Sequence, residues 1–285
     1  MRNFLALMLT AACSWTATPA HADGTAIGTQ RLYEVRGVKL YVETYGSGAP
    51  LVFLHGGLHF FGNSFEKQRD YFASFRKVIG IDQRGHGHSP DNSQPFSYRE
   101  MVEDTAALLE QLGIGPVDVV GHSDGGNVGL LLARDHPQLV RRLVISGANL
   151  TAGMSADELK RRSQRPPQEV AEKLPPGFRA DYLKVTPDGE AHWMTVVAKS
   201  WQLWMTPVIL EAADLKTMKM PVLVIAGDHD FNPVEKNVEI FRGLPQGQLL
   251  ILPATGHGTF NQRAEMMNLA IRTFLEQPDR DDGSR

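Results

Sequence analysis

Cysteine is nearly missing: Cys13 is the one thiol in 285 residues. That excludes a disulfide framework and a cysteine-rich zinc site. A positive excess is missing too. Lys plus Arg number 29 against 32 Asp plus Glu, a net charge of −3, so the chain has no basic footprint for nucleic acid. The apolar stretch at 4–12 is too short for a stable membrane span. Internal repeats and low-complexity tracts do not occur. What is present is 42% hydrophobic against 21% charged residues, enough for a core, in a length that suits one large α/β domain.

Residues 1–22 have the form of an export signal. Arg2 is the positive start, 4–12 the apolar stretch, and Ala20-His21-Ala22 the small-x-small cleavage site before Asp23. The alternative, a lipid anchor at Cys13, has Thr10 where an aliphatic residue is usual. Cleavage after Ala22 leaves a chain without cysteine, compatible with an oxidising compartment. The expected location is periplasmic or secreted.

Short apolar runs at 51–54, 78–81, 117–120, 143–145 and 222–225 read as buried strands. Helical patterns at 65–75, 98–112 and 125–134 lie between them. This alternation predicts a mostly parallel sheet with helices on both faces. Two runs, 31–35 and 39–45, flank Arg36-Gly37-Val38 and read as an opening hairpin. A last strand at 248–252, a last helix at 263–275 and a polar tail from 278 complete a sheet of about eight strands.

The alternation breaks at 149–213, between core segments 23–148 and 214–277. Trp193, Trp201 and Trp204 fall there, and Trp15 in the leader is the only other tryptophan. The insertion reads as a helical cap, its aromatics serving as a second small core, as the roof of a pocket, or as both. Trp201 and Trp204 stand at i and i+3 and are candidate substrate contacts.

Gly121-His122-Ser123-Asp124-Gly125 fits Gly-x-Ser-x-Gly, after one expected strand and before an expected helix. A tight strand-turn-helix lifts a serine hydroxyl above the sheet and requires small neighbours. His55-Gly56-Gly57 follows the strand at 51–54. The segment 82–89 reads Asp-Gln-Arg-Gly-His-Gly-His-Ser. Gly227-Asp228-His229-Asp230 ends a strand, and Gly256-His257 follows the last one.

These five motifs, in this order, resemble the α/β-hydrolase superfamily over nearly all of the chain after the leader. The resemblance implies a serine esterase or lipase-like enzyme with a Ser123, Asp230, His257 triad. A serine hydroxyl needs a base to become a nucleophile. His257 would be that base and Asp230 its orienting acid. Asp228 is the rival acid; the family's count of three residues after the glycine selects Asp230. The backbone N–H groups of Gly57 and Asp124 would form the oxyanion hole. His59 and Phe60 would line the pocket. The Asp124 side chain needs no chemical role. No cofactor is implied. His86 and His88 lack the further ligands of a metal site.

The implied reaction is hydrolysis of a small carboxylic ester, lactone or thioester through an acyl-enzyme. Asp82-Gln83-Arg84-Gly85 also resembles proline iminopeptidases, but Leu58 and Asp124 stand where that family carries Pro and Trp. A ligand receptor on a hydrolase scaffold would carry the same three residues.

Overall fold

The computed structural model describes residues 28–151, 154–207 and 209–278. The export signal at 1–22, the alternative at Cys13 and the tail from 279 lie outside the described residues.

Eight strands form one sheet: β1 (Thr29–Val35), β2 (Val38–Tyr45), β3 (Pro50–Leu54), β4 (Lys77–Asp82), β5 (Val117–His122), β6 (Val140–Ser146), β7 (Val222–Gly227) and β8 (Gly247–Leu252). Their spatial order is β1-β2-β4-β3-β5-β6-β7-β8. β2 pairs antiparallel with β1 and β4, and every other pairing is parallel. The helices are α1 (Phe61–Ala73), α2 (Tyr98–Gln111), α3 (Asp124–Asp135), α4 (Ala156–Ser163), α5 (Pro167–Lys173), α6 (Pro176–Val185), α7 (Trp193–Trp204), α8 (Val234–Gly243), α9 (Thr259–Gln262) and α10 (Ala264–Leu275).

The two-residue period of a strand divides the apolar residues between two cores. In β3, Val52 and Leu54 join the core under α2, α3 and α8, while Leu51 and Phe53 join the core under α1 and α10. In β7, Val222 and Val224 face the first core, and Leu223 and Ile225 the second. Both faces are buried, which is why these strands read as unbroken apolar runs. Phe61, Phe65 and Phe72 anchor α1 on its face, each burial contributing about 1.5–3 kcal/mol.

Helix α1 begins four residues before the expected start at 65. The Phe61 N–H donates to Asp82 Oδ1 at 2.8 Å, and the Phe60 N–H to Asn63 Oδ1 at 3.0 Å. A carboxylate from the end of β4 thus satisfies an orphan donor of the first turn. Gly62 and Asn63 look like loop until that distant partner is known. Phe65, at φ −133° and ψ 22°, marks a kink where the expectation placed the helix start.

Helices α4 to α7 occupy the chain between β6 and β7. Val170, Tyr182, Trp193, Val196, Val197 and Leu203 are buried there and merge with the core on the α2 side. The strand order reverses direction between β3 and β5, each of which leads into a loop at the same edge of the sheet. Open α/β sheets bind ligands at such a point, outside the carboxyl ends of the strands.

Candidate active site

Ser123 sits between β5 and α3 with φ 54° and ψ −119°, a backbone conformation that costs a non-glycine residue energy. It persists because both neighbours hold it. The Ser123 N–H donates to the Ser146 carbonyl at 2.8 Å, and its own carbonyl accepts from the Asn127 N–H at 3.0 Å. The turn is closed tightly: a Cβ on Gly125 would overlap the Leu54 carbonyl, and one on Gly121 would overlap the Gly125 carbonyl. This is the steric reason for both glycines of the motif.

Loops after β7 and β8 supply the acid and the base. His257 Nδ1 lies 2.9 and 3.0 Å from the two oxygens of Asp230. The Asp230 side chain is fully buried. With a carboxylate as its partner, Nδ1 carries the proton and Nε2 keeps its lone pair. Asp230 is itself oriented by the Asn232 N–H, 2.9 Å from Oδ1, and the Asn232 amide donates to the Gly147 carbonyl at 3.1 Å. Asp228 is exposed and accepts from the Thr255 N–H at 3.0 Å, so it shapes the His257 loop. That hydrogen bond, with a second from Ala254, holds its carboxyl below the usual range.

His122 precedes the serine and ties the two halves of the site together. Its Nε2 donates to the His257 carbonyl at 2.8 Å, and the two rings lie 5.0 Å apart. Burial, with His257 next, lowers its pKa to about 3, so it is neutral. His55 has the matching role under the Gly56-Gly57 loop. Its Nδ1 donates to the Gly56 carbonyl at 2.7 Å and its Nε2 accepts from the Gln83 N–H at 2.9 Å. Only a neutral imidazole can do both, and burial lowers its pKa to about 4. Asp124 opens α3, so its N–H has no acceptor within the helix, and its side-chain Oδ2 lies against Gly57.

The other motif residues are structural. Asp82 holds Phe61 and His88, with His88 Nδ1 at 2.9 Å from its Oδ2 and the His88 ring stacked 4.2 Å from Tyr41. Arg84 is buried against Asp104, Nε to Oδ2 2.7 Å, and is not free for a substrate. Among the described residues no three His, Cys, Asp or Glu side chains are grouped to hold a metal.

The expected substrate contacts separate. His59 packs on Phe178 of α6 at 4.5 Å, and burial lowers its pKa to about 4. Phe60 turns edge-on to His88 at 5.7 Å. Trp204 reaches the elbow: its Nε1 donates to Asp124 Oδ2 at 2.8 Å. Trp201 turns into the cap instead, donating to the Arg162 carbonyl at 2.7 Å with Arg165 over its ring. The i, i+3 spacing puts the two on neighbouring positions, but α4 captures one of them. Two residues have no signal in the pattern. Phe231, three-quarters exposed, lies 4.2 Å from the His257 ring. Tyr98 donates to Asp124 Oδ1 at 2.7 Å.

Residues 49–183 match the family model described as alpha/beta hydrolase fold. The sn-1-specific diacylglycerol lipase of Mus musculus is 28% identical over 251 residues, covering 79% of this chain and 80% of that protein. The 2-hydroxymuconate semialdehyde hydrolase of Pseudomonas putida is 26% identical, covering 85% of this chain and 92% of the relative. A solved N-acyl homoserine lactone degrading enzyme superposes with a TM-score of 0.70 at 27% identity, covering 86% of this chain and all of that one.

Proposed function

Because this chain belongs to the α/β-hydrolase superfamily, we propose that it is an exported serine hydrolase that cleaves a small carboxylic ester through an acyl-enzyme on Ser123. The observation that carries the reading is the His257–Asp230 pair, with a buried carboxylate holding the imidazole in the tautomer that frees Nε2. In the first step Ser123 Oγ attacks the carbonyl carbon while His257 Nε2 takes its proton. Negative charge moves to the carbonyl oxygen, where the Gly57 and Asp124 N–H groups stabilise it. His257 returns the proton to the departing alkoxide. Water then attacks the acyl-enzyme with His257 again as base, releasing the acid and restoring Ser123.

Lactones are internal esters and follow the same steps, which fits the likeness to a lactone-degrading enzyme. The diacylglycerol lipase name of one relative supports ester chemistry, and the semialdehyde hydrolase name of another supports hydrolysis without naming an ester. The test is a fluorophosphonate probe together with a panel of acyl esters and lactones. The probe is expected to label Ser123 alone, and Ser123→Ala to lower turnover on the order of 10^4-fold or more while remaining folded. Labelling of another serine, or full activity in Ser123→Ala, overturns the assignment.

A further inference from the structure

The residue after the serine carries a buried carboxylate that the reaction just described does not use. Asp124 is only 8% exposed, and both of its oxygens are taken by donors from other elements. Tyr98, the first residue of α2, donates to Oδ1 at 2.7 Å. Trp204, the last residue of α7 in the cap, donates from Nε1 to Oδ2 at 2.8 Å. The same oxygen and the same indole press on Gly57. A Cβ there would overlap Asp124 Oδ2 and lie 2.9 Å from Trp204 Cζ2.

We propose that Asp124 is a positioning residue that latches Trp204 of the cap across the Gly57 loop, so that the two together set the size of acyl group the site accepts. The inference rests on the acyl-enzyme reading. An acyl group whose carbonyl oxygen reaches the N–H groups of Gly57 and Asp124 must extend its chain from that point, and the indole already stands against Gly57. Where the indole lies therefore limits the chain. What holds it is a charge-assisted hydrogen bond to a buried carboxylate, from an indole that is itself partly buried, stronger than a neutral one. Tyr98 locks the carboxylate: burial first, then the charge of Asp124, raises the phenol pKa well above its ordinary value, so its O–H stays a donor.

The donor pattern makes the latch testable. An indole N–H can only donate, so the atom facing it must be an oxygen, whereas the Tyr98 hydroxyl can donate or accept. Asp124→Asn can turn its oxygen to Trp204 and its NH2 to Tyr98, and is expected to keep the latch. Asp124→Ala cannot. Trp204→Phe keeps a ring and loses the donor. The measurements are the ratio of kcat/KM for butyryl over octanoyl esters, and the 15N–1H resonance of the Trp204 indole, assigned by its loss in Trp204→Phe. Asp124→Ala and Trp204→Phe are each expected to shift the ratio about tenfold, the double variant no further, and Asp124→Asn little. The indole resonance is expected to move in Asp124→Ala and to stay near its place in Asp124→Asn. A double variant whose change is the product of the two single ones, or an indole resonance unmoved in Asp124→Ala, overturns the latch. If Asp124→Ala does not fold, the cycle of Tyr98→Phe with Trp204→Phe measures instead whether the Tyr98 lock acts through Trp204, and changes that multiply independently overturn the latch. Hydrolysis of no ester by the wild type would count against the acyl-enzyme reading, and the indole resonance would still decide the latch.

Discussion

Asp228 and Asp230 stand two residues apart on the same loop, and their surroundings divide the work. Asp230 is buried on His257, while Asp228 is exposed and braces Thr255. Asp230→Asn is expected to lower turnover by about 10^4-fold, since an amide can hold the imidazole in the wrong tautomer. Asp228→Asn should cost far less. Steady-state rates of both folded variants check this, and the reverse order would exchange their roles. The buried histidines carry a second consequence. From an ordinary value of 6.5, the pKa falls to about 4 for His55 and to about 3 for His122, chiefly through burial. Below 6.5 the unfolded chain binds protons that the folded chain refuses, so stability is full above that pH and is lost as pH falls toward about 4 for His55 and about 3 for His122. The loss should be on the order of a few kcal/mol for each residue. Urea midpoints at about pH 7.5 and about pH 5 measure the slope, and His55→Gln should flatten it. An unchanged slope would mean that His55 is not a buried neutral group.

At the scale of elements, the helices between β6 and β7, expected to form a cap, are fastened to the rest of the chain at a second place. Asp91, in the loop beyond β4, lies under α7 with its side chain 5% exposed. Its Oδ2 is 2.6 Å from Lys199 Nζ and 2.9 Å from His192 Nε2, and its N–H donates to Asp188. Tyr182 of α6 completes the cluster on the other ring nitrogen of His192 at 2.7 Å. Removing one partner of a buried pair leaves an uncompensated charge, a cost of about 3–5 kcal/mol. Asp91→Ala is therefore expected to loosen the cap before the sheet domain. Limited proteolysis should cut first within 156–185 and leave a core fragment that is still folded. Global unfolding in one step, with no early cut in the cap, would show that the two parts are a single cooperative unit. Helix α1 teaches the opposite lesson. Its start depends on Asp82, a residue 21 positions away, so local pattern alone placed it late.

For the whole molecule, the proposed export rests on the signal-like pattern at 1–22, and a chain without cysteine beyond it is compatible with an oxidising compartment. Expressed with residues 1–22 in a bacterium that exports proteins, the chain should be recovered outside the cytoplasm with Asp23 as its first residue. N-terminal sequencing checks the cut. Recovery in the cytoplasm with the leader intact would refute the export reading, and lipid on Cys13 would replace it with an anchor. No described helix is long and apolar enough to cross a membrane.

Fold class was legible because strands buried on both faces leave short apolar runs, and the helices between them keep their own period. The Ser123 turn leaves a short contiguous motif because a tight turn admits only small residues, whereas Asp230 and His257 were expected only through the family resemblance. Tertiary structure alone decided the rest. It brought Asp230 to His257 and left Asp228 on the surface. It turned Trp201 into α4 and Trp204 onto Asp124, although both lie on one helix three residues apart. It made Asp124 the meeting point of α2, α3 and α7. Such contacts join residues 26 and 80 positions apart, and a side chain's partner at that distance leaves no local pattern, because it depends on where folding brings the other element to rest.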